Sequence, residues 1–213
     1  MHSTIFEVAR STFSDLLIFN EFVDGPSRED FKRLLRAEGF EHQYATPSEG
    51  RQNQIFLASK NEFRLVCTVN RNPITPIASN QCVFVCSEIK IYALRVPAYK
   101  KVSEKRIAWE YYLSEIASLD PHVIVGDFNV DPVAHEQTFL ERIVELGYVH
   151  HAIDGASFWT NNGKPRKLDH LFSRGLTISS ATYLAEHRGQ PLVGKTRAFA
   201  SDHCPIIFDL VKI

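Results

Sequence analysis

The chain is predicted to be α/β (α+β), on three observations. Apolar strand-like runs outnumber amphipathic helical stretches, and several of those runs follow one another as hairpins instead of alternating with helices. At 213 residues the chain is long enough for one well-buried core and short for two. So many hairpins do not suit a doubly wound parallel sheet. They suit a four-layered α/β sandwich, two mixed β-sheets packed face to face with helices outside, in which loops at one end converge on one site. With no repeat, low-complexity tract or linker, residues 1–213 read as a single domain.

Leu16–Phe19 is continuously apolar, as in a strand buried on both faces. Ser27-Arg28-Glu29-Asp30 has the look of a helix N-cap, with Phe31, Leu34 and Leu35 as one apolar face and Gly39 placed to end the helix. Strand-like segments follow at Gln54–Ala58, Phe63–Val69 and Cys82–Val96, with Pro73 and Pro76 in the turn between the last two. The spacing of Ile107, Tyr111, Ile116 and Leu119 predicts a helix over Val102–Leu119, stopped by Pro121. His122–Val125 reads as another buried strand, and Val133–Leu146 as a helix closed by Gly147. Short strands fit Phe158–Trp159, Leu168–Phe172, Leu176–Leu184 and Pro205–Leu210.

Composition sets limits on function. Hydrophobic content of 44%, charged content of 23% and a net charge of −1 are ordinary, and no bulk positive field advertises a nucleic-acid binder. A locally basic groove on a neutral protein stays compatible with these values. No stretch reaches the roughly 20 apolar residues that span a bilayer, and Met1–Arg10 lacks the features of a secretory signal. Cys67, Cys82, Cys86 and Cys204 show no paired zinc spacing. Cys82 and Cys86 would share a strand face, but a lone C-x3-C is a weak metal signal. Reduced, buried thiols are expected, as in a cytoplasmic protein.

Four short strings carry chemistry. In Gly126-Asp127-Phe128-Asn129 a buried strand ends in a carboxylate and an amide two residues apart, able to handle water and a phosphoryl oxygen; an Asx-turn closing the strand is the other reading. Ser201-Asp202-His203 offers a metal ligand and an imidazole that donates to a phosphate oxygen, or simply a polar loop. Asp169 lies inside the apolar run Leu168–Phe172, where an ionised carboxylate needs a partner, and His203 is a natural one. Surface alternation competes with that account. Glu21, directly after the Leu16–Phe19 run, offers a hard oxygen for Mg²⁺ or is merely solvated.

Taken in order, DLLIFNE, GDFN, SFWT, KLDHLF and SDHCPI resemble the endonuclease/exonuclease/phosphatase superfamily. Ser157-Phe158-Trp159-Thr160 followed by Leu168-Asp169 is similar to its exonuclease III and apurinic-endonuclease branch. The likeness runs from about Ser14 to Leu210. It implies the four-layered sandwich, a Mg²⁺ or Mn²⁺ cofactor, Glu21 as principal metal ligand and Asp202 as a second acid near the metal. It further implies that Asp127 orients or deprotonates the attacking water, Asn129 positions water and phosphate, and His203 contacts phosphate with Asp169 as its carboxylate partner. Arg95 falls where the family often has Tyr or His on the phosphate; it would bind bidentately but cannot act as an acid. The implied activity is metal-dependent phosphodiester hydrolysis, with DNA or RNA as substrate, in a cytoplasmic monomer with no membrane partner.

Three departures stand out. The family's opening strand, with its Trp-Asn pair, is expected to be missing, because Glu21 lies so near Met1. Asn20 replaces the usual Gln before the metal Glu, and the basic loops that grip duplex DNA are short. Lys100, Lys101, Lys105 and Arg106, then Lys164, Arg166 and Lys167, then Lys195 and Arg197, are candidate phosphate-neutralising clusters, with Arg197 as a phosphate-binding candidate. Solvated faces are the alternative. Phe158 and Trp159 would flank a sugar or base, or pack in the core. A phosphodiesterase or phosphatase for small or lipid-derived phosphates is the second functional reading, and a non-catalytic binding module on the same scaffold the third.

Overall fold

The structure, a computed structural model, describes residues 2–48, 52–66, 73–74, 80–132, 137–160, 162–193 and 201–211. Helix α1 (His2–Ser11) leads into β1 (Leu16–Phe22), and a 3-10 turn at Pro26–Arg28 into α2 (Glu29–Ala37). Strands β2 (His42–Ala45), β3 (Gln54–Ser59), β4 (Phe63–Leu65), β5 (Gln81–Cys86) and β6 (Ile89–Arg95) follow. Helix α3 (Val102–Leu119) connects to β7 (Val123–Asp127), and α4 (Gln137–Glu145) to β8 (Val149–His150). The rest is strand: β9 (Phe158–Trp159), β10 (Pro165–Arg166), β11 (Asp169–Ser173), β12 (Thr177–Tyr183), β13 (Glu186–His187), β14 (Gln190–Pro191) and β15 (Ile206–Val211).

The main sheet has the order β4-β5-β6-β7-β11-β8, with β6 and β7 parallel and the other pairs antiparallel. A parallel neighbour requires a crossover, which α3 supplies. A second group of strands, β1-β3-β2 and the β12-β15 pair, packs against it.

Alternation along each strand sorts the side chains into layers. Ile55 and Leu57 of β3, Phe84 of β5, Ile91 and Ala93 of β6, Val123 and Val125 of β7 and Leu171 of β11 form the core between the strand layers. Their alternates on the main sheet, Val83, Tyr92, Leu94, Ile124 and Phe172, meet Trp109, Tyr112 and Ile116 of α3 and Leu140 and Ile143 of α4. On the opposite side, Phe56 and Ala58 of β3 meet Ala9 of α1 and Phe31 and Leu35 of α2. The three clusters separate four layers, the sandwich expected.

Several local expectations change. Leu16–Phe19 does pack on both faces, Leu16 and Ile18 against the core between the strand layers and Leu17 and Phe19 against the α1 and α2 side, but it is only partly buried because β1 is an edge strand. Cys82–Val96 is a hairpin, turned by Ser87 and Glu88 with φ of 49° and 66°, the geometry that matches strand twist. The α3 bounds agree with expectation, but its buried face carries Ala108, Trp109, Tyr112, Leu113 and Ile116, while Ile107 is 48% exposed. Packing against the sheet chose the stripe with the two large rings. The α2 cap is Arg28, without a side-chain hydrogen bond, because the 3-10 turn feeds the helix directly.

Gly39 does end α2: its N–H donates to Arg36 O and that of Phe40 to Leu35 O, closing a Schellman motif at φ 91°. Helix α1 and strands β2, β8, β10, β13 and β14 have no counterpart in the sequence reading. Residues 67–69 of the expected third strand, Pro76, Cys67 and the first turn of the expected 133–146 helix lie outside the described residues. Cys82, Cys86 and Cys204 are free and buried, and burial pushes the Cys82 and Cys204 thiols up to about 12. Among the described residues, no helix is long and apolar enough to cross a membrane.

Candidate active site

Strand register assembles half of the site. Arg95, the last residue of β6, pairs with Asp127, the last of β7, and Asp127 pairs with Asp169, the first of β11. Directly opposed residues share a face, and the alternation of β7 turns that face toward the other strand layer. One guanidinium and two carboxylates therefore stand in a row at the end of the main sheet. Glu21 of β1 and His203, just before β15, come from the facing layer.

Gly126 makes the approach of β6 and β7 possible. A Cβ there would lie 1.9 Å from the Leu94 carbonyl oxygen and 3.2 Å from Asn20 Nδ2, at φ 147°. Its role is close strand packing inside β7, not a turn.

Asp127 is buried. Its Oδ1 accepts the Asn129 backbone N–H at 2.9 Å and its Oδ2 accepts Asn129 Nδ2 at 2.8 Å. The first bond is an Asx-turn, so that reading of the motif holds as well. Asn129 is not strand, with φ 49°, and the turn brings its amide back onto Asp127. Its Nδ2 also donates to Val96 O at 2.8 Å, which ties the loop to the end of β6. Burial and the charge of Asp169 push the Asp127 carboxyl up to about 7, against the opposing pull of His203, the Asn129 N–H and Arg95.

Asp169 Oδ2 stands 2.8 Å from His203 Nδ1. Burial alone would lower the imidazole; the Asp169 hydrogen bond and charge, with Asp127 and Asp202, outweigh it and raise His203 to about 9. Ligating atoms of Asp127, Asp169 and His203 all lie within 4.8 Å of one another, an arrangement able to hold a metal ion. Ser157 and Tyr183 fix the dyad from below. Ser157 Oγ accepts the Leu168 and Asp169 N–H groups, and Tyr183 OH donates to Asp169 O at 2.6 Å. Phe158 bridges to His203 and its ring lies 4.9 Å from the imidazole.

Glu21 and Asp202 fall outside that trio. Glu21, at φ 59° in a bulge of β1, accepts Arg95 Nε at 2.7 Å and Nη2 at 2.5 Å, and Asn53 Nδ2 at 3.3 Å. Arg95 Nε lies 3.8 Å from Asp127 Oδ2. Asp202 is exposed. Arg197, with Lys195, lies outside the described residues.

The basic clusters divide. Lys100, Lys101 and Arg106 are exposed, but Lys105 is buried at 8% exposure and donates to Asn129 O at 3.2 Å. Arg166 binds Asp131 at 2.8 Å and Lys167 donates to Ile153 O at 2.7 Å, leaving Lys164 as the exposed member of that run. Phe158 and Trp159 are half-buried. Sequence reasoning missed Asn53, Tyr183 and the role of Lys105. The signal for Lys105 was its place on the stripe of Trp109, Tyr112 and Ile116.

No family model and no curated protein matches the chain. Solved structures do. An AP endonuclease from Archaeoglobus fulgidus matches at a TM-score of 0.74 and 16% identity, over 98% of this chain and 93% of that one. A 3′ phosphatase from Neisseria, bound to product DNA hairpin, matches at 0.74 and 12%, over 98% and 93%. A mannosyl-6-phosphatase from Bacteroides thetaiotaomicron matches at 0.66 and 14%, over 99% and 90%. At these identities the likeness concerns architecture. The chain has the fold of the endonuclease/exonuclease/phosphatase proteins.

Proposed function

We propose that the protein is a divalent-metal-dependent phosphodiester hydrolase acting on DNA or RNA, a monomeric single-domain enzyme of the cytoplasm. The observation that carries this reading is the gathering of Asp127, Asp169 and His203, two carboxylates and an imidazole with side-chain polar atoms within 4.8 Å, at the end of a sandwich shared with nucleases and phosphatases.

The donor set fits a hard divalent cation. Glu21, Asp127, Asp169 and Asp202 supply carboxylate oxygens, the ligands Mg²⁺ and Mn²⁺ take. Glu21 and Asp202 would hold the ion, which when bound offsets phosphate charge and stabilises the leaving oxygen.

The remaining chemistry belongs to the chain. Asp127, near neutrality at about 7, is poised to accept a proton from the attacking water, and Asn129 fixes its orientation through two hydrogen bonds. His203, at about 9, is an imidazolium at pH 7. With Nδ1 committed to Asp169, it presents Nε2–H to a non-bridging phosphoryl oxygen. Arg95, the direct register partner of Asp127 across β6 and β7, would clamp the same phosphate. Arg197 is a further candidate for phosphate binding.

A substrate panel of abasic duplex, single strands, RNA and inositol phosphates, run with Mg²⁺, Mn²⁺ and chelator, tests the proposal. Chelator-sensitive cleavage of a nucleic acid that weakens as salt rises is expected. Turnover of none of them in either metal would end the reading. Cleavage of only the small ester, insensitive to salt, would establish the second reading, which the internal engagement of Lys105, Arg166 and Lys167 favours.

A further inference from the structure

Arg95 places a cation where one is already needed. Two of its nitrogens, Nε at 2.7 Å and Nη2 at 2.5 Å, converge on the same Glu21 oxygen. The Nε atom also lies 3.8 Å from Asp127 Oδ2, so the guanidinium links a carboxylate of each strand layer. The bulge between Phe19 and Phe22 bends β1 so that Glu21 meets Arg95 across 74 residues of sequence.

Arginine stays protonated at any working pH and carries no acceptor. A divalent cation that ligates this Glu21 oxygen meets a like charge already in contact with it. One of the two must leave, and the guanidinium is the mobile one, on a flexible side chain. Its electrostatic replacement partner is a phosphate group, whose paired oxygens match the guanidinium fork.

We infer that Arg95 and a divalent cation exchange at Glu21, and that the displaced guanidinium becomes the phosphate clamp, so that one side chain couples metal and phosphate binding. This rests on the reading of Glu21 as a metal ligand. By reciprocity, the Glu21 contact that opposes the metal also withholds Arg95 from phosphate.

Calorimetric titrations of chelator-treated wild type, Arg95→Met and Glu21→Gln test the exchange, after circular dichroism and melting curves establish that each is folded. Arg95→Met is expected to bind Mg²⁺ about 5- to 150-fold more tightly than wild type, the range of ordinary site coupling. Glu21→Gln, titrated with sodium phosphate in the absence of metal, is expected to bind at least about fivefold more tightly than wild type, because the amide no longer neutralises Arg95. Equal or weaker Mg²⁺ binding by Arg95→Met overturns the exchange, as does equal or weaker phosphate binding by Glu21→Gln. The two arms use different variants, so misfolding of one leaves the other decisive. Absence of Mg²⁺ binding by both wild type and Arg95→Met is a separate result, and it removes the metal-ligand reading and the exchange together.

Discussion

Asp127 and Asp169 are directly opposed where β7 meets β11, two buried carboxylates in one register position on the same face of the sheet. Like charges in that position destabilise a sheet. The fold tolerates them because each has its own counterpart: Asn129 and Arg95 for Asp127, and His203 for Asp169. That division separates a carboxyl near neutrality from an imidazolium, and the predictions below test its parts.

Asp127→Asn should lower the rate by about 10²–10⁴, as expected for loss of a general base. The sign of its stability effect depends on pH. The folded carboxyl is raised to about 7 from an ordinary 3.8, so the native state holds the extra proton and wild type loses stability as pH rises through that window. Urea denaturation should therefore shift in favour of the variant by on the order of a few kcal/mol between pH 4 and 7. A pH-independent difference would contradict the burial argument.

His203 and Asp169 should behave as one unit. Alanine at His203 and asparagine at Asp169 should each cost about 10²–10³ in rate, and the double variant little more than the worse single one. Because His203 is raised to about 9 from 6.5, its contribution to stability is fully present below pH 6.5 and disappears as pH rises through 9. Melting temperatures of wild type and His203→Gln should converge between pH 7 and 10. Additive rate losses would separate the pair.

Gly126→Ala should prevent stable folding or cost roughly 3 kcal/mol or more, since its Cβ would overlap the Leu94 carbonyl 1.9 Å away, in backbone that side chains rarely adopt. Chemical denaturation of a soluble, wild-type-like variant would show that β6 and β7 can part.

Lys105→Met keeps the apolar stem and removes the ammonium that supports the Asn129 carbonyl. The expected outcome is a fall in kcat of about 10-fold with KM nearly unchanged, read by steady-state kinetics. A change confined to KM would place Lys105 at the substrate.

Acid should weaken the fold through a second histidine cluster. His170 is buried against the Phe128 ring; its Nε2 stands 2.8 Å from Val130 O and its Nδ1 3.1 Å from His150 Nε2. Burial lowers both histidines to about 4. The unfolded chain then takes up protons that the native state refuses, so stability is lost as pH falls from 6.5 to 4, by up to roughly 3 kcal/mol for His170. His170→Gln should flatten that slope in urea titrations; an unchanged slope would assign the acid sensitivity to other groups.

Much of the architecture was legible because it is written in short-range patterns. Short apolar, strand-like runs located β3, β7, β11, β12 and β15, and the turn of Gly39 needed only its freedom at φ 91°. The polar strings at Asp127, Asp169 and His203 were visible for the same reason, each being an acid or imidazole beside an apolar run. Strands β8, β10, β13 and β14 span two residues each, too short for any period to appear. The exposed face of α3 was misjudged because two helical stripes were apolar, and packing against Tyr92 and Leu94 chose between them.

Residue order and periodicity carried the layers, the strand ends and the identities of the acids, since these depend on neighbours a few positions apart. Pairings over long separations were decided only when the sheets closed. Arg95 meets Glu21 because β1 bulges toward the end of β6, and Lys105 leaves the solvated face because α3 lies down on the Asn129 loop. Register and packing set those contacts, and neither leaves a mark in a local stretch of sequence.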